Sequence, residues 1–314
     1  MMEEDTMTSF RAAAVQATPV VGDTKATVDK VVDLIGRLAN QDVNVAVFPE
    51  AFVGGYPKGA NFGVTIGSRT AEGRSEFAFY HSQAINVPGP ETALIAEAVQ
   101  AAEIFLTIGV IERDGGTLYC TALYFTPDGL AGKHRKLMPT ASEKLIWGFG
   151  DGSTLKTVET PWGAMGAVIC WENYMPLMRM AMFGQNIKIY CAPTADDRDT
   201  WVATMRHIAL EGRCFVISSC QYLTTEDSPS AIVNHLPHSG SNVLMRGGAL
   251  IVSPLGHIVA GPDYSGETIL IADLDTDDIT RAQLDFDVVG HYARPDIFRL
   301  DVNDAPQQVV TFNK

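Results

Sequence analysis

Short apolar runs, segments of helical period and tight turns alternate along the whole chain, and this alternation restricts the fold more than any other feature of the sequence. FRAAAVQA (Phe10–Ala17) reads as a buried strand. After it, Val28, Val31, Val32, Ile35 and Leu38 recur at the spacing of one helical face, with Thr24 placed to cap it. VNVAVFPE (Val43–Glu50) is a short strand ended by Pro49, and a glycine-rich loop long enough to suggest function runs from Gly54 to about Thr70. A helix is expected over Glu91–Glu103. Strands follow at Phe105–Arg113 and Thr117–Phe125, joined by Asp114-Gly115-Gly116 as a hairpin. Pro127-Asp128-Gly129 turns the chain into GLAGKHRKL. Further strands are expected at Ala164–Cys170, Ile187–Ala192, Cys214–Ser219, Ala249–Ser253, His257–Ala260 and Thr268–Asp273, and helices at Pro176–Phe183 and Asp199–Arg213.

Interleaving of this kind suits an α/β fold in which two sheets are sandwiched between helices, a four-layer αββα arrangement, better than a uniform βαβ repeat. The competing doubly wound fold lacks support, since no G-x-G-x-x-G follows an expected strand and no phosphate-binding P-loop is present. No linker, low-complexity tract or short repeat divides the chain. The expectation is therefore one domain over residues 1–314, its core spanning about 10–300, with short tails at 1–9 and 301–314.

Composition narrows the partners. Hydrophobic residues make up 46% and charged residues 19%, which is globular, and the formal net charge is −14. An acidic surface repels phosphate, so nucleic acid and anionic membranes are poor partners, whereas small neutral molecules are not excluded. The five cysteines (Cys120, Cys170, Cys191, Cys214 and Cys220) are odd in number and form no Cys-x-x-Cys pair, which points to a reducing compartment. MMEEDTMTSF is acidic and lacks an apolar core, so it is neither a signal nor a transit peptide, and no run approaches a membrane span. A cytoplasmic location is expected. The histidines lack metal-ligand spacing: His134, His207 and His291 are far apart, and His235-x-x-His238 lies in an expected loop without partner ligands. Neither a metal nor a cofactor is called for.

Three expected strand ends carry chemistry. Glu50 ends VNVAVFPE, Lys136 ends GLAGKHRKL and Cys170 ends GAMGAVIC. Strand ends in α/β folds face crevices. A carboxylate can take a thiol proton, and a cation can hold the charge that develops on an attacked atom. Taken singly, each residue has a structural reading: a solvated strand end, a wet basic cluster, an inert core thiol.

Their surroundings change that weighting. FPEAFVGGYPKG (Phe48–Gly59), GKHRKLMPT (Gly132–Thr140) and ICWENYMPL (Ile169–Leu177) resemble the three catalytic segments of the nitrilase superfamily, in the family's order. WGFGDGSTL, YCAPTAD, HIALEGRCFV, SPLGHIVAGP and VGHYARPD are also similar to family segments, so the likeness runs from about Phe10 to Phe312. The Cys-Trp-Glu form is typical of nitrile-cleaving members, and the likeness is nearest to plant-type nitrilases, which act on arylacetonitriles and cyanoalanine. The resemblance implies Glu50 as general base, Lys136 as cation and Cys170 as nucleophile, with Glu143 orienting the lysine and water. Tyr56, Trp147, Trp171 and Thr194 are the expected pocket walls. Glu172 and Asn173 are expected to pin the turn after the cysteine, and the other four cysteines to be small apolar fillers. The chain is least like plant nitrilases from about Tyr222 to Met245, a polar loop placed to cover the pocket mouth.

What the resemblance implies is a nitrilase that converts an organic nitrile to the carboxylic acid and ammonia through thioimidate and thioester intermediates on Cys170. Its partners are the nitrile and water. Family members also assemble into dimers, and nitrilases into spirals, so a homo-oligomer is expected. The alternatives are an amide or N-carbamoyl hydrolase using the same residues, partial nitrile hydration to the amide, or a non-catalytic scaffold on a retained fold.

Overall fold

In the computed structural model, which describes residues 8–236 and 240–311, the apolar runs become the strands of two facing sheets. Strand β1 (Ser9–Gln16) leads into helix α1 (Thr24–Ala39) and β2 (Val45–Val47). A small ribbon, β3 (Val64–Thr65) with β4 (Ser68–Arg69), precedes α2 (Ala71–Gln83) and α3 (Pro90–Ala102). The meander β5 (Phe105–Asp114), β6 (Thr117–Thr126) and β7 (Gly129–Arg135) follows. Next come β8 (Ala164–Ala167), α4 (Pro176–Phe183), β9 (Ile187–Thr194), α5 (Asp199–Gly212) and β10 (Phe215–Cys220). The order closes with β11 (Tyr222–Thr224), β12 (Val243–Arg246), β13 (Ala249–Val252), β14 (Ile258–Asp263), β15 (Thr268–Asp275) and α6 (Asp277–Gln283).

One sheet runs β15-β1-β2-β5-β6-β7 and the other β14-β13-β10-β9-β8. Their inner faces meet through small side chains. Ala12, Ala14 and Ala122 of the first sheet share a buried cluster with Ala167, Cys191 and Ile217 of the second. The outer face of the first sheet packs on α1 and α3 through Val31, Ile35, Ile95 and Val99. The outer face of the second packs on α4 and α5 through Met182, Trp201 and Met205. The layers are therefore α, β, β, α, as the alternation of elements implies. Polar bonds also cross the middle: the Ala167 amide donates to the Tyr124 hydroxyl at 2.9 Å.

Local details differ from the sequence reading in instructive ways. Asp23, not Thr24, caps α1, its carboxylate accepting from the Ala26 amide at 2.9 Å; the Thr24 hydroxyl instead donates to the Gln83 carbonyl. Val32 lies off the buried stripe at 36% exposure. Helix α2 escapes sequence reading because its buried residues are Gly73, Glu76 and Tyr80, which form no apolar stripe. Gly73 is required there: a Cβ would stand 2.0 Å from the Phe62 carbonyl oxygen, so the glycine-rich loop rests directly on the helix. The strand expected over Ala164–Cys170 ends at Ala167, and a 3-10 turn starts on Cys170. Among the described residues no helix is long and apolar enough to cross a membrane.

Candidate active site

Glu50 is carried by a detour between two sheet contacts. Beyond β2, the Phe48 amide still bonds Thr107 of β5, and the chain rejoins β5 when the Phe52 and Val53 amides donate to the Gly109 carbonyl. Pro49, Glu50 and Ala51 arch over Gly109 in between, with Ala51 in the left-handed region at φ 50. Any Cβ on Gly109 would lie 2.3 Å from the Pro49 carbonyl oxygen and 2.6 Å from the Glu50 Cα. A bare backbone at 109 thus makes room for the arch that turns Glu50 inward, to full burial.

Lys136 extends the β6–β7 pairing, its amide donating to the Cys120 carbonyl at 2.8 Å. Residues opposite each other on neighbouring strands share a face, and both side chains reach Glu50. Lys136 Nζ is 2.6 Å from Glu50 Oε1, and the Cys120 thiol is 3.4 Å from the same oxygen. Glu143, on the 3-10 turn Ala141–Leu145, takes the lysine from the other side at 2.8 Å. Its carboxylate also accepts from the Thr140 amide at 2.6 Å and the Tyr56 hydroxyl at 2.8 Å. One fully buried ammonium is thus held between two carboxylates.

Cys170 comes from the other sheet. It opens its turn at φ 50, a left-handed conformation that costs a non-glycine residue energy and persists only where neighbours enforce it. Glu172 and Asn173 do so. Glu172 accepts from the Ile169 amide at 2.9 Å and, across to the lysine segment, from the Leu137 amide at 2.6 Å, with His134 at 3.1 Å. Asn173 donates to the Val168 and Cys170 carbonyls and accepts from the Tyr190 hydroxyl. Both pin the turn, as the sequence suggests, and His134 is a buried structural partner. The Thr194 hydroxyl, at the end of β9, lies 3.3 Å from the Cys170 sulfur.

Burial and charge set the protonation states. Burial raises the Glu50 pKa above its ordinary value; Lys136 opposes this, and Glu143 reinforces it. Burial alone would discharge Lys136, but Glu50 foremost among its anionic neighbours holds its pKa well above the usual lysine value. Burial also pushes the Cys170 thiol up, helped by the Glu50 charge and opposed by Lys136. At rest the sulfur keeps its proton next to an unusually basic carboxylate. Among the described residues no group of three or more His, Cys, Asp or Glu side chains is arranged to hold a metal ion.

Cys170 is only 4% exposed, yet it is reachable: a cavity of about 190 Å³ joins it to Tyr56, Lys58, Thr140, Glu143 and Trp171. Tyr56 and Trp171 line this mouth. Trp171 is held there by its indole N–H on Asp196 at 2.8 Å and by the Arg198 guanidinium 4.8 Å over its ring. Trp147 sits deeper, edge-on to Tyr56 and with its ring centroid 5.6 Å from the lysine nitrogen, so it supports the wall from behind. Three participants escape sequence reading: Cys120, Asp196 and Arg198. Cys120 is more than a filler, and the register of Lys136 on β6 is the signal that betrays it. Of the polar loop, Asn234 and His235 pack on Gly59, the His235 amide donating to its carbonyl at 2.8 Å, while His238 lies outside the described residues.

A thiol, a buried carboxylate pair and an ammonium thus meet at the junction of an αββα sandwich. Residues 11–283 match the carbon-nitrogen hydrolase family, and the chain belongs to that family. Within it the chain is a hydrolase of the nitrilase type. It is 70% identical to an "Aliphatic nitrilase" of Sinorhizobium fredii, over 97% of this chain and 99% of the relative. It is 52% identical to a "Bifunctional nitrilase/nitrile hydratase NIT4A" of Lupinus angustifolius, over 97% and 89%. The fold also matches solved structures. The carbon-nitrogen hydrolase of Helicobacter pylori aligns with a TM-score of 0.73 at 18% identity, over 93% of this chain and 98% of that one. Saccharomyces cerevisiae Nit3, a member of branch 10 of the nitrilase superfamily, aligns at 0.67 and 22%, over 91% and 97%.

Proposed function

We propose that the chain hydrolyses an organic nitrile to the carboxylic acid and ammonia, with Cys170 as nucleophile, Glu50 as the repeatedly used base and Lys136 as the cation at nitrogen. The observation that carries this reading is the 2.6 and 2.8 Å grip of two carboxylates on one buried ammonium, at the site that also presents the thiol. As the sulfur bonds to the nitrile carbon, its proton passes to Glu50, and Lys136 protonates the nitrogen to give a thioimidate. Glu50 hands the thiol proton to the now neutral Lys136, 2.6 Å away, which resets both groups. Water then adds as one of its protons passes through Glu50 to the nitrogen, ammonia leaves with the remaining hydroxyl proton, and a thioester remains. A second water, again through Glu50, frees the acid and restores the thiol. Glu143 holds Lys136 in line, tied in turn by Tyr56 and Thr140. Thr194 steadies the sulfur, and Tyr56 and Trp171 wall the substrate.

The name of the 70% identical relative favours aliphatic nitriles over arylacetonitriles. A second outcome, partial hydration to the amide, is favoured by the bifunctional relatives. It arises if the tetrahedral intermediate expels sulfur before ammonia. A panel of aliphatic, aromatic and arylacetonitriles, with ammonia, acid and amide each quantified, tests both. Turnover of phenylacetamide but not phenylacetonitrile would instead favour amide hydrolysis.

The same reading extends to the whole chain. We take it as one domain, because β15 returns to pair with β1 along their full length. Assembly into a homo-oligomer, which the family resemblance implies, belongs to the same proposal. The free state of all five cysteines supports a cytoplasmic setting.

A further inference from the structure

Gln221 follows directly on β10 and is fully buried. The last residue of that strand, Cys220, pairs in register with Thr194, whose hydroxyl touches the Cys170 sulfur. Gln221 instead continues the alternation of Ile217 and Ser219, which face the first sheet, and its Nε2 donates to the main-chain carbonyl of Glu50 at 2.7 Å. That bond fixes the amide. A carbonyl oxygen only accepts, so the NH₂ end must face Glu50 and Oε1 must point elsewhere. Oε1 is buried and has no hydrogen-bond partner among the described residues, and the same holds for Glu50 Oε2. Glu50 Oε1, by contrast, is engaged by both Lys136 and Cys120. Two residues already joined by a hydrogen bond thus each present one buried, unpartnered acceptor.

We propose that Gln221 is a positioning residue that, together with Glu50 Oε2, holds the hydrolytic water. The inference rests on the reading of Cys170 as nucleophile and Glu50 as base. Water has two hydrogens to give and the pair offers two acceptors, so its oxygen lone pairs stay free to attack. In thioester hydrolysis the water oxygen bonds to the acyl carbon while one of its protons passes to Glu50 Oε2. The carbon–sulfur bond then breaks, and Glu50 returns that proton to the sulfur. Gln221 Oε1 accepts the hydrogen that stays on the new carboxylic acid. Lys136 and Cys120 engage only Oε1, so Oε2 keeps its capacity to accept.

The test separates attack from hydrolysis. Gln221→Leu and the unaltered enzyme are mixed with butyronitrile, quenched over milliseconds to minutes, and weighed intact, with ammonia followed in parallel. The variant is expected to load Cys170 at a rate within about threefold of the unaltered enzyme. Its turnover should fall about tenfold to a hundredfold, with the adduct filling most of the protein at steady state. Hydroxylamine, a nucleophile that needs no deprotonation, should restore adduct release. Loading and turnover that fall together, or that both stay unchanged, overturn the proposal. If the unaltered enzyme carries no adduct on Cys170, the nucleophile reading fails instead, which is a different result. Gln221→Glu carries the test if the leucine variant does not fold. Only its protonated carboxyl can donate to the Glu50 carbonyl, so its turnover relative to the unaltered enzyme should rise as pH falls from 8 to 6. A flat ratio overturns the proposal.

Discussion

Cys170 and Cys120 are both buried thiols, and their surroundings give them opposite uses. Cys170 lines the open cavity, whereas Cys120 faces Glu50 Oε1 and competes for nothing in solvent. Removing it withdraws one weak donor from the base. Cys120→Ala should therefore lower kcat/KM several-fold, about the value of one modest hydrogen bond, while Cys214→Ala, in the apolar cluster of Met182, Trp201 and Met205, should not. Steady-state kinetics on both variants check this. The pH profile follows from Glu50. Burial raises its pKa, and only the ionised form accepts a proton, so activity is lost as pH falls through that raised value. The acid limb of kcat/KM should lie above the usual carboxylate value of about 4.3. A limb at or below that value would mean that Glu50 is not the base. At this scale the candidate groups were legible because Glu50, Lys136, Glu143 and Cys170 sit in recognisable segments. Cys120 and Gln221 were not, because what gives them a role is register across strands rather than anything in their own neighbourhood.

Among elements, the site depends on how strand ends are bent. The arch carrying Glu50 exists because residue 109 of β5 has no side chain. Gly109→Ala places a Cβ 2.3–2.6 Å from the arch backbone, with no flexible neighbour to yield. It should cost about 1–3 kcal/mol of stability and reduce turnover far more than that loss implies, since Glu50 must move. Thermal melts paired with kcat measure the two effects separately. Glu172 does for Cys170 what Gly109 does for Glu50, and it also ties that turn to Leu137, next to Lys136. Glu172→Gln replaces one acceptor oxygen with a donor that must face a backbone N–H. The variant should melt lower, by about 1–3 kcal/mol, and lose activity with the four cysteines other than Cys170 still inaccessible to a thiol reagent in the folded state. A variant as stable and active as the unaltered enzyme would remove Glu172 from the account. The strands and α1 could be read from periodicity. Helix α2 could not, because Gly73, Glu76 and Tyr80 pack it through backbone proximity and polar burial rather than an apolar stripe.

Across the whole molecule, the groups of the candidate site are divided between the two sheets: Glu50, Cys120 and Lys136 from one, Cys170, Thr194 and Gln221 from the other. Neither sheet holds the site alone, and the small side chains between them, Ala12, Ala14, Ala122 and Ala167, let the two halves meet. The four-layer order was legible from the sequence, but this division was not, since residues 50, 136 and 170 give no hint of which sheet each belongs to. The central claim is that the sulfur at 170 is the atom that bonds to carbon. Turnover of butyronitrile by Cys170→Ala, with folding verified by its thermal melt, measures that most directly. No ammonia release above the uncatalysed background is expected from a normally folded variant; release at the rate of the unaltered enzyme would mean that another atom attacks the nitrile.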